Sequence, residues 1–262
     1  MTSEPFIVMI PARYGAGRCP GKALAEIQGR TMISGVIASA LRSLAARVIV
    51  VTDHNDIGSA AKNTGAEVLT FTGNYKSGTD RLAAACNMLG IDDTQLVVSL
   101  PCDMPMVDPV LLNLLAQDYI QSGCVVGTLG ELVERDNLHT LSDPTQVKVV
   151  TDVCDRAIYF SRASIPFDRN QASIKNPLLN ELYLRHIGIY AYRTHAIKHL
   201  SAFGVSPLEE MEDIEALRPL TQGLSVSVLT VRNTGCFSLG TAGAIERHNQ
   251  LASGASKWPA EA

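Results

Sequence analysis

A three-layer α/β fold, with helices on both faces of a mostly parallel sheet, is predicted by three observations. Short apolar runs alternate with segments of helical period through about residue 123. Beyond that point the strand-like runs become closely spaced, which implies an inserted antiparallel layer. No internal repeat and no low-complexity linker divides the chain, so one core has to serve all of it.

The elements follow in order. Phe6–Ile10 is a buried first strand, Thr31 to about Ala45 is apolar at helical spacing, and Val48–Val51 is the second strand. Asp56–Thr64 reads as a helix, Glu67–Phe71 as a strand, and Thr79–Leu89 as a helix. Leu96–Leu100 is the fourth strand, with Pro109–Ile120 as the helix behind it. Right-handed crossovers place these helices on both faces of the sheet. Cys124–Leu129, Val147–Thr151 and Ala157–Phe160 are then strands, with a turn at Asp152–Arg156. Asp168–Leu179 is polar and predicts a mobile loop. His186–Tyr192 is a strand, Thr194–Phe203 and Pro207–Gln222 are helical, Val226–Val231 is the last strand and Ala242–Leu251 the last helix. The expected organisation is a single domain over residues 1–252. Its nucleotide-binding core spans about 5–123 and 224–252, the inserted layer about 124–223, and 253–262 form a flexible tail.

Composition excludes several functional classes. With 262 residues, 46% hydrophobic and 18% charged, the chain can bury a full core and is neither disordered nor membranous. Its apolar runs fall far short of the ~20 residues a bilayer span needs, so no membrane partner is expected. A net charge of −4 gives no basic surface for nucleic acid, though it permits a local basic pocket for a small anion. Met1–Pro5 lacks the basic and apolar parts of a secretory signal, and the six cysteines include no C-x-x-C pair. A reducing cytoplasmic setting is the expectation.

Three loops leave strand ends on one edge of such a sheet, where open α/β folds bind ligands. The first, Pro11 and Ala12 through Lys22, combines glycines with the cations Arg13, Arg18 and Lys22. Backbone N–H groups and fixed cations suit a triphosphate; a basic surface loop is the plainer alternative. Ala16 and Ala23 exclude a Walker A loop. The second, Leu100–Pro105, carries Asp103, either a ligand for a hard divalent cation or the N-cap of the next helix. In the third, Lys76–Arg81, Ser77 and Gly78 turn the backbone toward a ligand. Arg81 either neutralises a substrate carboxylate or is a solvated helix residue. The inserted layer adds Ser161-Arg162, Arg185-His186 and Tyr190, with His186 and Tyr190 on one side by strand alternation. Glu209, Glu212 and Glu215 recur every three residues, as on a solvated helical face.

Taken together these loops resemble the CMP-Kdo synthetases (3-deoxy-manno-octulosonate cytidylyltransferases). The resemblance runs in register from about Ile7 to Val231. It rests on Ile10-Pro-Ala-Arg-Tyr14, Pro20-Gly-Lys22, Val51-Thr-Asp-His54, Ser77-Gly-Thr-Asp-Arg81, Val147-Lys-Val-Val150, Tyr159-Phe-Ser-Arg-Ala-Ser-Ile-Pro166, His186-Ile-Gly-Ile-Tyr-Ala-Tyr192, Ser206-Pro-Leu-Glu209 and Glu215-Ala-Leu-Arg218. It implies a nucleotide-diphospho-sugar-transferase-like (Rossmann-like) fold, with the inserted layer used for sugar binding and dimerisation. The implied reaction is CTP plus Kdo giving CMP-Kdo and pyrophosphate, for lipopolysaccharide biosynthesis, in a homodimer. By the same resemblance Arg13 and Lys22 bind the CTP phosphates, with Arg18 nearby in the nucleotide site. Arg81, Arg162, His186, Tyr190 and Glu215 position the sugar acid, and Asp103 holds Mg2+.

The chain departs from that family in two places. Pro101-Cys102-Asp103 stands where the family has Gln-Gly-Asp, so Pro101 supplies neither an amide side chain nor a backbone donor. After the last strand, Thr234–Ala244 contains no carboxylate where the family carries its second metal-binding aspartate; Ser238 or Gly240 falls there. These departures keep two other expectations open. One is a cytidylyltransferase for a related ulosonic acid such as 8-amino-Kdo, and the other is a catalytically silent nucleotide-binding paralogue.

Overall fold

The computed structural model describes residues 4–15, 19–73, 75–169 and 181–252. The expected tail, Arg18 and most of the expected Asp168–Leu179 loop lie outside the described residues.

The strands are β1 (Phe6–Ala12), β2 (Glu26–Ile27), β3 (Arg30–Thr31), β4 (Arg47–Thr52), β5 (Glu67–Thr70), β6 (Leu96–Ser99), β7 (Val126–Leu132), β8 (Lys148–Thr151), β9 (Ala157–Ser161), β10 (Leu184–Arg193) and β11 (Val226–Val231). The helices are α1 (Met32–Leu41), α2 (Asn55–Lys62), α3 (Gly78–Met88), α4 (Pro109–Ser122), α5 (Thr194–Phe203), α6 (Pro207–Glu212), α7 (Leu217–Thr221) and α8 (Ala242–Ala252), with short 3-10 turns at Lys22–Leu24 and Arg135–Ser142. The short β2–β3 hairpin was not anticipated from sequence, because four residues around Gln28-Gly29 carry too little pattern.

The main sheet runs β11-β7-β10-β6-β1-β4-β5. β6, β1, β4 and β5 pair in parallel, β10 runs antiparallel to both β6 and β7, and β11 is parallel to β7. The inserted segment therefore continues the central sheet through β7 and β10. Only β8 and β9 branch from it, β8 pairing with β10 and β9.

Alternation along β1 builds the three layers. Phe6, Val8 and Ile10 pack on one face with Ile33, Val36 and Ile37 of α1, Ile57 of α2 and Leu112 and Leu115 of α4. Ile7 and Met9 face the other way, toward Leu82 and Cys86 of α3, Ile197 and Leu200 of α5 and Leu217 of α7. Because helices cover both faces, β1 and β6 are apolar at nearly every position and almost wholly buried.

The single helix expected over Pro207–Gln222 is overturned. Asp213 adopts the left-handed conformation (φ 51°, ψ 50°) and ends α6, and α7 begins at Leu217. The break lets the glutamates spaced by three point to different partners.

Candidate active site

The C-terminal ends of β1, β5 and β6 deliver the expected loops to one edge of the sheet, and the end of β4 adds Asp53 and His54. The backbone N–H of Gly21 donates to the Tyr14 carbonyl (2.8 Å), closing the first loop so that Lys22 returns beside Arg13. Gly21 sits at φ 73°, which a residue without a Cβ adopts freely. Asp53 accepts from the Tyr14 N–H (2.9 Å), and the His54 ring stacks on Tyr14 at 4.0 Å. These contacts explain why Val51-Thr-Asp-His54 belongs to the site, a role sequence reading did not assign.

Asp103 does not cap the following helix. Asp108 does, accepting from the Val110 N–H at 2.9 Å. Lys22 Nζ instead donates to Asp103 Oδ2 at 2.6 Å, with both side chains mostly enclosed. Burial alone would lower the Lys22 pKa; the adjacent carboxylate outweighs it and the ammonium ends raised. Neighbouring Cys102 is pushed up to about 12, by burial first and the Asp103 charge second, so it stays a neutral thiol.

Two cavities meet at Asp103. The smaller, about 310 Å³, is lined by Pro11, Arg13, Lys22, Ser77, Gly78, Arg81 and Ser99 among others. The larger, about 860 Å³, is lined by Glu131, Arg185, His186, Ser238, Gly240 and Arg247 among others. Pro101, Asp103, Gly188, Tyr190 and Glu215 line both.

Most expected site residues are brought together. Arg81, however, is no solvated helix residue: it is 4% exposed, bonded to Asp53 through Nη2 (3.0 Å), and its Nη1 is buried without a hydrogen-bond partner among the described residues. It lines the smaller cavity beside the Arg13–Lys22 loop and not the larger one. Glu215 accepts from the Thr79 N–H (2.8 Å), linking the start of α3 to the 206–221 segment. Ser77 caps α3 reciprocally with Asp80.

Arg162 is the exception: it lines neither of the two cavities. Its guanidinium donates to the carbonyls of Glu212 (2.5 Å), Pro144 (2.8 Å) and Asp213 (2.9 Å), which uses all three nitrogens. Glu212 in turn accepts from Ser161 Oγ (2.7 Å) and the Arg162 N–H (2.9 Å). Arg162 is thus a strut between β9 and the end of α6.

His186 and Tyr190 stand where strand alternation put them, with one irregularity. The β10–β7 register shifts between Ile187 and Tyr190, a bulge beside the cavities. Thr128 Oγ1 lies 2.8 Å from the Ile189 carbonyl and 3.2 Å from that of Ile187, so its proton goes to these acceptors. His186 Nε2, 3.0 Å away, then donates to Thr128, which leaves Nδ1 as the ring's acceptor. Burial first, and the Arg185 charge second, hold the His186 pKa at about 3, so the ring is neutral at physiological pH. Burial and then Glu215 raise the Tyr190 phenol well above its usual range, keeping it a hydrogen-bond donor.

Sequence reading missed the opposite wall. Glu131 accepts from Arg185 (Nε at 3.0 Å, and Nη2) and from the Thr234 N–H and hydroxyl (2.7 and 2.6 Å). Burial raises its pKa and these donors more than reverse that, so it stays ionised. Arg185 also donates to the Cys236 carbonyl (2.6 Å), and the Leu239 N–H to the Asp103 carbonyl (2.8 Å). The segment after β11 is thereby held against Asp103. A Cβ built on Gly240 would lie 3.4 Å from Asp103 Oδ2 and 3.3 Å from Ser238 Oγ, which puts both where a second acid was sought. Among the described residues no group of three or more His, Cys, Asp or Glu could hold a metal. Asp103 by itself fits a magnesium ion whose remaining ligands are phosphate oxygens and water.

The family profile described as Cytidylyltransferase matches residues 7–227. A 3-deoxy-manno-octulosonate cytidylyltransferase of Haemophilus influenzae (strain PittEE) is 38% identical over 246 residues, covering 92% of this chain and 96% of that protein. The chain belongs to the 3-deoxy-manno-octulosonate cytidylyltransferase family. A member from Erwinia tasmaniensis is 39% identical, covering 85% of this chain and 89% of its own length. The solved structure of CMP:2-keto-3-deoxy-manno-octonic acid synthetase complexed with CTP superposes with a TM-score of 0.83 at 31% identity, covering 96% and 99% of the two chains. A cytidylyltransferase from Leptospira borgpetersenii, 15% identical with a TM-score of 0.60 over 97% and 89% of the chains, shares the fold.

Proposed function

We propose that this protein transfers the cytidylyl group of CTP to 3-deoxy-manno-octulosonate, releasing pyrophosphate. The observation that carries the reading is the meeting of two cavities across Asp103, one rimmed by Arg13, Lys22 and Arg81, the other walled by His186. The triphosphate belongs in the cationic cavity and the sugar acid in the larger one. The sugar's anomeric oxygen then forms a bond to the α-phosphorus as the α–β phosphoanhydride bond breaks. The oxygen's proton goes to solvent, and pyrophosphate leaves with the electron pair. Arg13 and Lys22 neutralise charge on the leaving phosphates, so catalysis is mainly positioning and electrostatics. Neutral His186 offers an acceptor, and Tyr190 a donor, for sugar hydroxyls. Magnesium held by Asp103 and the phosphates would supply further charge neutralisation.

The test is pyrophosphate release from CTP and 3-deoxy-manno-octulosonate, with and without magnesium. Magnesium-dependent release supports the reading; CTP binding with no release under any condition refutes it. Replacing the acceptor by its 8-amino analogue probes Pro101, and a higher kcat/KM for that analogue would move the assignment to it.

A homodimer through the β8–β9 hairpin belongs to the same proposal. Val153 at its turn is fully exposed, Ile158 is 61% exposed and Met211 on α6 83%, more apolar surface than a free hairpin usually leaves in water. Sedimentation should give a dimer that Ile158→Lys splits; a monomeric wild type would refute it.

A further inference from the structure

Two helix starts face each other across the second layer of the core, and both are closed in the same way. At α3, Ser77 Oγ accepts from the Asp80 N–H (3.1 Å) and Asp80 Oδ2 from the Ser77 N–H (3.2 Å). At α6, Ser206 Oγ accepts from the Glu209 N–H (3.2 Å) and Glu209 Oε2 from the Ser206 N–H (3.3 Å). One guanidinium joins the two boxes. Arg218, 1% exposed, donates through Nε and Nη2 to Glu209 (2.9 and 2.7 Å) and through Nη1 to Asp80 (2.8 Å).

Arg218 and Glu209 are buried, and neither lines either of the two substrate cavities. What it connects is functional. The α3 box presents Ser77 and Gly78 to the smaller cavity. The segment begun by the α6 box presents Glu215 to both cavities, and Glu215 meets α3 at the Thr79 N–H. A cation buried between two carboxylates has a fixed geometry, since losing one partner leaves a charge uncompensated. Its planar fork fixes the angle between the partners as well as their separation, which an ammonium does not.

We propose that Arg218 is a positioning residue that sets the nucleotide-side turn Ser77-Gly78 against the Glu215 segment, so that CTP affinity depends on a contact made outside the CTP cavity. The proposal rests on the assignment of the smaller cavity to CTP, and the test is an equilibrium titration that needs no turnover. Calorimetric CTP titrations are made on wild type, Arg218→Lys, Glu209→Gln and Asp80→Asn, each shown to be folded by circular dichroism and a cooperative melt. Both Arg218→Lys and Glu209→Gln should weaken CTP binding by roughly tenfold in the folded protein, although Glu209 touches no nucleotide. A merely structural role lowers Tm and leaves the Kd of the folded protein within twofold of wild type, and that result overturns the proposal. If both fail to fold, Asp80→Asn decides: it keeps the Arg218–Glu209 fork and should still weaken CTP binding, and an unchanged Kd again overturns it. Wild type that binds no CTP refutes the cavity assignment and the proposal together; wild type that binds CTP without turnover refutes only the proposed reaction.

Discussion

Gly240→Asp tests whether the cation site proposed at Asp103 rests on a single acid. The Cβ built at residue 240 lies 3.4 Å from Asp103 Oδ2, an ordinary contact, and 3.3 Å from Ser238 Oγ, a side-chain end that needs to yield only slightly. Gly240 is not at positive φ, so an aspartate adopts its backbone without strain. The new carboxylate would stand about 4 Å from Asp103, and two like charges at that distance repel by roughly 4 kcal/mol at an effective dielectric of 20. Lys22, 2.6 Å from Asp103, offsets much of this, leaving a cost of about 1–2 kcal/mol in metal-free protein. For a chain of this size that lowers Tm by ~2–8 °C. A divalent cation reverses the sign, because it is attracted by both carboxylates. Magnesium should bind the variant ~10–100-fold more tightly, about 1.4–2.8 kcal/mol. The assay is Tm against magnesium concentration for variant and wild type, followed by turnover. A variant whose Tm responds to magnesium no more than wild type does would show that the two positions cannot share a cation, and the reasoning would fail.

Three other perturbations separate roles within the site. Asp103→Asn removes the charge at the junction of the cavities and should cut turnover by ~10²–10³-fold with the fold intact; activity within a few-fold of wild type would remove Asp103 from the mechanism. Arg162→Lys forfeits the fork on three carbonyls and should lower stability by about 1–2 kcal/mol, while the KM for the sugar acid moves less than about twofold; a tenfold rise in KM would return Arg162 to the substrate. His186 is held neutral to about pH 3 when folded, against an ordinary value of 6.5. Its stabilisation is complete above pH 6.5 and is lost as pH falls toward 3, because the unfolded chain takes up the proton first. His186→Gln should therefore flatten the acid limb of urea-measured stability by about 1.4 kcal/mol per pH unit, and an unchanged slope would show the ring is not held neutral.

The fold was legible because its signals are local. Phe6–Ile10, Leu96–Leu100 and Val226–Val231 declare themselves as short apolar runs, and Thr194–Phe203 begins and ends where its pattern does. That the Arg13–Lys22 loop, Asp103 and the His186–Tyr190 pair gather at the cavities was legible because each follows or occupies a recognisable strand. What escaped depends on distance in sequence. Glu131 joins Arg185 and Thr234, 54 and 103 residues away, and Arg218 reaches Asp80 across 138. Arg162 illustrates the converse: a cation beside a strand end looks the same in sequence whether or not three carbonyls hold it.

The position of β10 also bears on how the chain is made. β7 leaves the ribosome more than fifty residues before β10, and both of its eventual neighbours, β10 and β11, come later. Until then β7 has two unpaired edges, the condition under which strands recruit the wrong partner. Its sequence, Val-Gly-Thr-Leu-Gly-Glu-Leu, is poorly suited to pairing alone because two glycines weaken it as a strand. Gly130 has a native reason as well, since a Cβ there would lie 2.8 Å from Val228 Cγ1 of the last strand. The same residue that lets β11 close onto the finished sheet helps keep β7 from committing during the wait.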